Sequence, residues 1–412
     1  MRDFFTKRGK ELIYVFTVFF IFLLCAEAAF CGKTAMRDKR PRLITLFMCG
    51  DVMTGRGIDQ VLPHPGGPLI HEPYMKSAKG YVELAEKVNG PIHQPVSCSY
   101  IWGDALEILK HAALDARIIN LETSVTKSND YWEGKTVHYR MHPDNISCIA
   151  AAGINIASLA NNHILDWGHS GIEETLETLK KVNIKSTGAG RNLQEAQTPS
   201  VVSVEDKGRV IVFSYGSITS GIPPEWAASA DSPGINLLHD LSDETVGHIK
   251  RKIKSVKQPG DIVVISIHWG GNWGYDIPRE QIRFAHKLID DAGVDVIHGH
   301  SSHHVKGIEV YKERLIIYGA GDFLNDYEGI PGYEDFRDDL GLMYFVSVEP
   351  STGKTVHVQM TPTQIRNFRV NRSSGPDARW LRDTLNREGE KFGTRVELTK
   401  DNNLKLLWES DN

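Results

Sequence analysis

Five apolar runs in this sequence end in residues that hold metals or move protons. Leu46-Phe47-Met48-Cys49-Gly50 ends in Asp51, and Ile118-Ile119 ends in Asn120-Leu121-Glu122. Ile156-Ala157-Ser158-Leu159-Ala160 ends in Asn161-Asn162-His163, and Val263-Val264-Ile265-Ser266-Ile267 ends in His268. Val296-Ile297 leads into His298-Gly299-His300-Ser301-Ser302-His303-His304. In open α/β sheets, sites form at the carboxyl ends of strands. If these strands are neighbours, Asp51, Glu122, Asn162, His268, His300 and His303 converge. Two carboxylates, an amide and three imidazoles suit hard to borderline divalent ions such as Mn²⁺, Zn²⁺ or Fe²⁺. The set has no cysteine, which argues against a structural zinc site. One ion with an open position rarely needs six side chains. Two ions about 3.5–4 Å apart would use them all, and would hold both oxygens of an in-line displacement at phosphorus.

Each strand end has a plainer reading when taken alone. A strand-end His is usually a hydrogen-bonded structural residue. Gly50-Asp51 reads as a turn cap, and Asn161-Asn162 as a left-handed turn. Five such ends in order along one chain are hard to obtain from packing.

The elements that must position these residues alternate along the chain. Strand-like runs cover residues 43–49, 116–120, 154–159, 184–186, 201–204, 210–214, 262–267, 294–297, 308–311, 315–318 and 342–348. Several are continuous apolar runs, the pattern of strands covered on both faces. Helical segments are expected at 80–88, 103–111, 143–152, 171–182, 242–256 and 279–292. In the last, Ile282, Ala285, Leu288, Ile289 and Ala292 form one apolar helical face. Such alternation means α/β layers. Residues 53–101 interrupt it, and Leu62-Pro63-His64-Pro65-Gly66-Gly67-Pro68 excludes regular structure there. The segment reads as a long insertion carrying a helix. After about residue 366 the pattern changes to a C-terminal extension, with a helix at 377–389 and weak strands.

At the N-terminus, Lys7, Arg8 and Lys10 precede the apolar run from Leu12 to Ala26, followed by Ala26-Glu27-Ala28. A basic start, an apolar centre and a small-x-small site make a secretory signal over residues 1–28. An uncleaved membrane anchor is the alternative, since Leu12 to Ala29 is just long enough to span. Either reading places the body outside the cytoplasm, after a basic linker at 29–42. Removal of the signal leaves Cys31, Cys49, Cys98 and Cys148. These allow three pairings, among which sequence does not choose. Cys49 lies in an apolar run and reads as a buried free thiol. The 412 residues carry 47 Lys+Arg against 52 Asp+Glu. This well-mixed, slightly acidic balance argues against a nucleic-acid partner held by a basic face.

The motifs together resemble the CapA family, named for a capsule protein of poly-γ-glutamate synthesis and similar to calcineurin-like metallophosphatases. The matching segments are Gly50-Asp51-Val52-Met53-Thr54-Gly55-Arg56-Gly57, Asn120-Leu121-Glu122, Leu159 to Gly168, Ile267-His268-Trp269-Gly270, Gly299-His300-Ser301-Ser302-His303 and Tyr318-Gly319-Ala320-Gly321-Asp322-Phe323. The resemblance spans about residues 43–350 and implies a four-layer αββα sandwich, with the small C-terminal extension appended. It implies two divalent ions. Asp51 and His303 would hold one, Asn162, His268 and His300 the other, and Glu122 would bridge them. His163 would stand where the superfamily keeps its acid, stabilising the transition state or protonating the leaving oxygen. Asp166 would orient His163, or else cap a helix.

Two departures from the superfamily pattern matter. The first motif usually reads Asp-x-His, but here it is Asp51-Val52-Met53, as in the CapA branch. Met is a poor ligand for hard ions, so one metal is expected to bind weakly. The late motif, Gly-Asn-Phe in many members, is Gly321-Asp322-Phe323 here. Asp322 reads as added charge near the ligands or as a turn cap. Arg56 reads as a contact for a substrate phosphate or carboxylate, or as an exposed loop residue. Trp269, Trp273 and Tyr275 read as a groove wall for a polymer or as a covering loop. His138, His142, His298 and His304 read as structural.

The implied activity is that of a dimetal hydrolase outside the cytoplasm, acting on a phosphoester or on an anionic glutamyl polymer. The alternative is a non-catalytic, metal-dependent factor in polymer export or anchoring. Envelope polymer-synthesis proteins are the expected partners, and membrane contact is expected only through an uncleaved N-terminal segment.

Overall fold

Alternate residues of single strands face two different cores. In the first strand, Ile44–Val52, Leu46 and Met48 point one way, while Phe47 and Cys49 point the other. The same alternation separates Val210 and Val212 from Ile211 and Phe213, and Ile262 and Val264 from Val263 and Ile265. Strands with both faces apolar must be covered on both sides. Here Leu46, Met48, Ile118 and Ile156 of one sheet meet Val210, Val212, Val264 and Val296 of another in a shared inner core. Outside the first sheet, Phe47 and Ile119 pack with Trp102, Leu109, Ile172 and Leu179 of helices. Outside the second, Ile211 and Val263 pack with Val246, Ile249 and Phe284. The layers run helix, sheet, sheet, helix, the αββα sandwich that the motifs implied.

The computed structural model describes residues 42–409. The expected signal or anchor and nearly all of the basic linker lie outside them. Among the described residues, no helix is long and apolar enough to cross a membrane.

The larger sheet runs in the order Thr394–Leu398, Leu404–Trp408, Lys354–Ile365, Leu340–Glu349, Ile44–Val52, Ala116–Leu121, Ile156–Ser158, Lys185–Thr187. A short strand, Asp322–Leu324, also pairs in parallel with the first. The second sheet contains Gly208–Ser217, Ile262–His268, Val296–His300 and Arg314–Ile317 as parallel neighbours. Parallel pairing brings the carboxyl ends of each set to one edge. His268 and His300 become Cα partners there, as do Asp51 and Asn120.

The C-terminal segment does not stand apart. Leu404–Trp408 pairs with Lys354–Ile365, so the extension lengthens the large sheet at its edge. Its helix, Gly375–Gly389, starts at Ser374, whose side chain accepts from Asp377 N–H, with Pro in the first turn. The helix expected at 279–292 is α-helical over Arg279–Lys287 and widens into a π-turn over Leu288–Ala292. A disulfide joins Cys98 to Cys148 and ties the end of the 53–101 insertion to the helix Ile146–Ala150. Cys49 is a buried free thiol.

Candidate metal centre

Two glycines let the first strand end where it does. A Cβ on Gly50 would lie 2.0 Å from the Gly321 carbonyl oxygen, an approach only glycine permits. Gly321 has a φ of +79°, which a side chain would strain. At this crossing Asp51 N–H donates to Gly321 O at 2.9 Å. Asp51 and Asp322 become Cα partners on parallel strands.

The Asp51 carboxylate is buried and held from two sides. Asn120 Nδ2 donates to Oδ1 at 2.7 Å, and Ser301 N–H donates to Oδ2 at 3.1 Å. Ser301 has a φ of +103°, a conformation that costs on the order of 1–3 kcal/mol and that turns its N–H toward the carboxylate. Asn161 Nδ2 donates to Asn120 Oδ1 at 3.0 Å, and Asn161 Oδ1 accepts from His163 N–H at 3.1 Å. A row of amides thus links the positions of Asp51 and His163.

Two groups of ligand atoms are close enough to share ions. One oxygen or nitrogen from each of Asp51, His268 and His300 lies within 4.8 Å of the others, and the same holds for Asp51, Glu122 and Asp322. His300 Nε2 is 2.8 Å from Ser266 Oγ, and His300 Nδ1 is 2.8 Å from His268 Nδ1. Burial, together with the neighbouring histidines, holds both imidazoles well below their usual pKa. Without a metal, a neutral His300 that donates Nε2–H to Ser266 accepts at Nδ1 from His268 Nδ1–H, a bond it must release to serve as a ligand, since Nδ1 holds its one lone pair. His268 Nε2 then carries a lone pair, a tautomer assigned from the hydrogen-bond network. That nitrogen is buried with no hydrogen-bond partner and lies 3.6 Å from Glu122 Oε1. Asn162 Oδ1 is likewise buried and unpartnered. An orphaned buried imidazole nitrogen beside clustered carboxylates is costly without a cation, so the donor set around His268 fits divalent metal.

The charge of the cluster has a measurable consequence. Burial and then Asp322 push the Asp51 carboxyl from 3.8 up to about 7, and burial with Asp51 and Asp322 raises Glu122 well above its usual value. A carboxyl raised in this way binds more protons folded than unfolded. Its destabilising effect is absent below the unfolded value, grows as pH rises and is full above the folded one. For Asp51 that window runs from 3.8 to about 7. A bound cation offsets the repulsion. The Mn²⁺-induced rise in Tm is therefore expected to be larger at pH 8 than at pH 5. Equal shifts at both pH values would contradict this account.

His163 lies in a second cluster beside the first. Its Nδ1 is 2.6 Å from Asp166 Oδ2, and its ring stacks on Tyr139 at 3.8 Å. Lys135 Nζ donates to Asp166 Oδ1 at 2.6 Å and to the Asn162 carbonyl, and lies 3.3 Å from His163 Nδ1. Tyr139 N–H donates to Asp166 Oδ2 at 2.7 Å. Burial, then Lys135 and Arg56, hold His163 well below its usual pKa. Burial raises Asp166 to about 6, with Lys135 opposing. Asp166 does not cap the following helix, whose N-cap is Trp167 with no side-chain cap.

The other expected site residues are placed as follows. His303 belongs to neither ligand group and meets the centre through Asp322, its Nδ1 lying 3.1 Å from both carboxylate oxygens. Burial lowers its pKa, but Asp322 together with Asp51 and Asp338 outweighs that and raises it. Arg56 is corrected from a substrate contact to a buried ion-pair centre. Its guanidinium donates to Asp326, to Glu72 Oε1 at 2.9 Å and to Tyr81 OH at 2.9 Å. Trp269 is corrected from a groove wall to core. It is buried, packs with Tyr318 and donates Nε1–H to the Tyr318 carbonyl at 2.9 Å. Of the same aromatic run, Trp273 is the residue near the centre, 5.2 Å from the His303 ring and stacked on Tyr333 at 3.9 Å. His138, His142, His298 and His304 are each engaged with backbone. A cleft of about 790 Å³ opens beside the outer face of the large sheet, lined by Asp104, Glu107, His357 and Arg372. None of the candidate ligands lines it, so its size says nothing about the chemistry. Sequence reading missed Lys135, which lies in a loop with no pattern to mark it. Asn120 and Ser301 stand inside the quoted motifs without an assigned role, whereas Asp322 is read there as added charge near the ligands or as a turn cap.

Residues 45–327 match the family described as bacterial capsule synthesis protein PGA_cap. A probable polyglutamine synthesis accessory protein of Mycobacterium tuberculosis is 45% identical over 368 residues, covering 89% of this chain and 97% of that one. The PGA biosynthesis protein CapA of Bacillus subtilis is 26% identical over 352 residues, covering 85% and 78%. A crystal structure of a phosphatase from Mycoplasma pneumoniae aligns at 12% identity over 82% of this chain and 97% of that one, with a TM-score of 0.44. The chain belongs to the bacterial capsule synthesis protein family.

Proposed function

We propose that this protein is a metal-dependent hydrolase working outside the cytoplasm in the synthesis of an anionic glutamyl polymer, on a phosphoester or on a bond of the polymer itself. The observation that carries the reading is His268 Nε2, buried, without a hydrogen-bond partner and 3.6 Å from Glu122 Oε1 in a cluster of buried carboxylates. Asp51, Glu122, Asn162, His268 and His300 would hold the ions. When bound, such ions activate water and offset charge at the oxygens of the reacting group. Asp166 accepts from His163 Nδ1–H and leaves Nε2 as the atom that exchanges a proton with the reacting oxygen. Tyr139 stacks on the ring and limits its rotation. Lys135 keeps Asp166 charged and ties it to the Asn162 backbone. The Cys98–Cys148 disulfide supports an oxidising compartment, consistent with an N-terminal signal or anchor.

The test is metal content and turnover measured together on the purified chain. Elemental analysis is expected to find about two ions per chain. Hydrolysis is assayed on p-nitrophenyl phosphate, a phosphate bis-ester and poly-γ-glutamate with added Mn²⁺. Turnover on one of the three supports the hydrolase and identifies the bond. Metal without turnover on any favours the alternative, a polymer-anchoring factor binding glutamyl carboxylates through its ions. Absence of bound metal after loading would sink both.

A further inference from the structure

Asp322 holds a position that the motifs leave open. The Asp-x-His pattern of the superfamily ends in Met53 here, and the structure shows that Met53 does not substitute as a ligand. Its thioether is buried and accepts a hydrogen bond from Gly55 N–H at 3.1 Å. On the other side of Asp51, the parallel strand Asp322–Leu324 places Asp322 in register with Asp51. One oxygen each from Asp51, Glu122 and Asp322 then lie within 4.8 Å of one another, all buried. Clustered acids alone would not identify a site. The independent sign of a cation is His268 Nε2, on a fully buried side chain, without a hydrogen-bond partner, 3.6 Å from Glu122 Oε1.

We propose that Asp322 is itself a metal ligand, completing with Asp51 and Glu122 an all-oxygen position in place of the imidazole that Met53 replaces. This rests on the metal-centre reading above. His303, expected on that ion, acts instead as a positioning residue. Its Nδ1 and Asn325 Nδ2, the latter at 2.7 Å from Oδ2, hold the Asp322 carboxylate. Partners of this kind orient ligating groups. The two halves of the centre then differ in chemistry. Three carboxylates select a hard ion such as Mn²⁺ or Mg²⁺, while the half containing His268, His300 and Asn162 accepts a borderline ion such as Zn²⁺.

The test compares the wild-type chain with Asp322→Asn, which is nearly isosteric and retains partners for Asn325 and His303. Mn²⁺ stoichiometry is measured by elemental analysis and affinity by calorimetry, with electron paramagnetic resonance to detect coupling between paired Mn²⁺ ions. The variant is expected to lose the coupled signal and one of its two ions, a larger loss than the roughly 10- to 100-fold weakening that removing a mere partner of a ligand causes. Stability of the metal-free proteins separates a ligand from a structural residue. Removing one of three crowded carboxylates is expected to leave the metal-free Tm at pH 8 unchanged or higher. A lower metal-free Tm with two ions still coupled would make Asp322 structural and overturn the inference. Wild type without metal would instead sink the metal centre as a whole.

Discussion

Replacing Arg56 by methionine is expected to cost about 3–5 kcal/mol of stability, because it leaves a buried charge cluster without its cation. Arg56 enters on a positive φ of 44° and is buried, its side chain reaching Asp326, Glu72 and Tyr81 and lying 3.9 Å over the Tyr81 ring. Burial already raises the Asp326 carboxyl, and Arg56 is the largest influence opposing that rise. Without the guanidinium, Asp326 must take up a proton or draw water into the fold. Lysine is expected to recover only part of the loss, since an ammonium cannot reproduce the paired donors of a planar fork. The check is the midpoint of urea unfolding for wild type, Arg56→Met and Arg56→Lys. A loss below about 1 kcal/mol, the range of an exposed ion pair, would refute the buried-cluster account. A rise in KM with stability unchanged would restore the substrate-contact reading.

His163→Ala is expected to lower kcat by about 10²- to 10⁴-fold, the range for a positioned proton-transfer group, while leaving metal content unchanged. The geometry argues for that separation. His163 N–H donates to Asn161 in the amide row, whereas its ring is engaged by Asp166, Lys135 and Tyr139. Asp166→Asn is the companion variant. It removes the charge that Lys135 and His163 share, and is expected to lower kcat less than His163→Ala. Elemental analysis of each variant separates the outcomes. Loss of metal in His163→Ala would make His163 part of the centre's structure rather than of its chemistry. Full kcat with full metal would remove it from the mechanism.

Much of the centre was legible because its ligands terminate buried strands, and a strand buried on both faces leaves an uninterrupted apolar run. Asp51, Glu122, His268 and His300 could be read in this way. The strand Lys354–Ile365 could not, because polar residues dominate it and Pro362 interrupts it. Its omission made the C-terminal segment look separate, when it extends the same sheet.

By itself, the sequence determined the α/β layer type, the order of the ligand-bearing strand ends and the family motifs. All of these are properties of local pattern and composition. The tertiary structure decided which neighbours each polar group meets. It pairs Cys98 with Cys148 and leaves Cys49 a buried free thiol. It buries Arg56 between carboxylates that follow it by 16 and 270 positions. It brings Lys135 to Asp166, and it sets Asp322 beside Asp51 across a glycine crossing. The charge and proton state of a buried group depend on burial and on partners within a few ångströms, and distant stretches of chain supply those partners only once the sheets are formed.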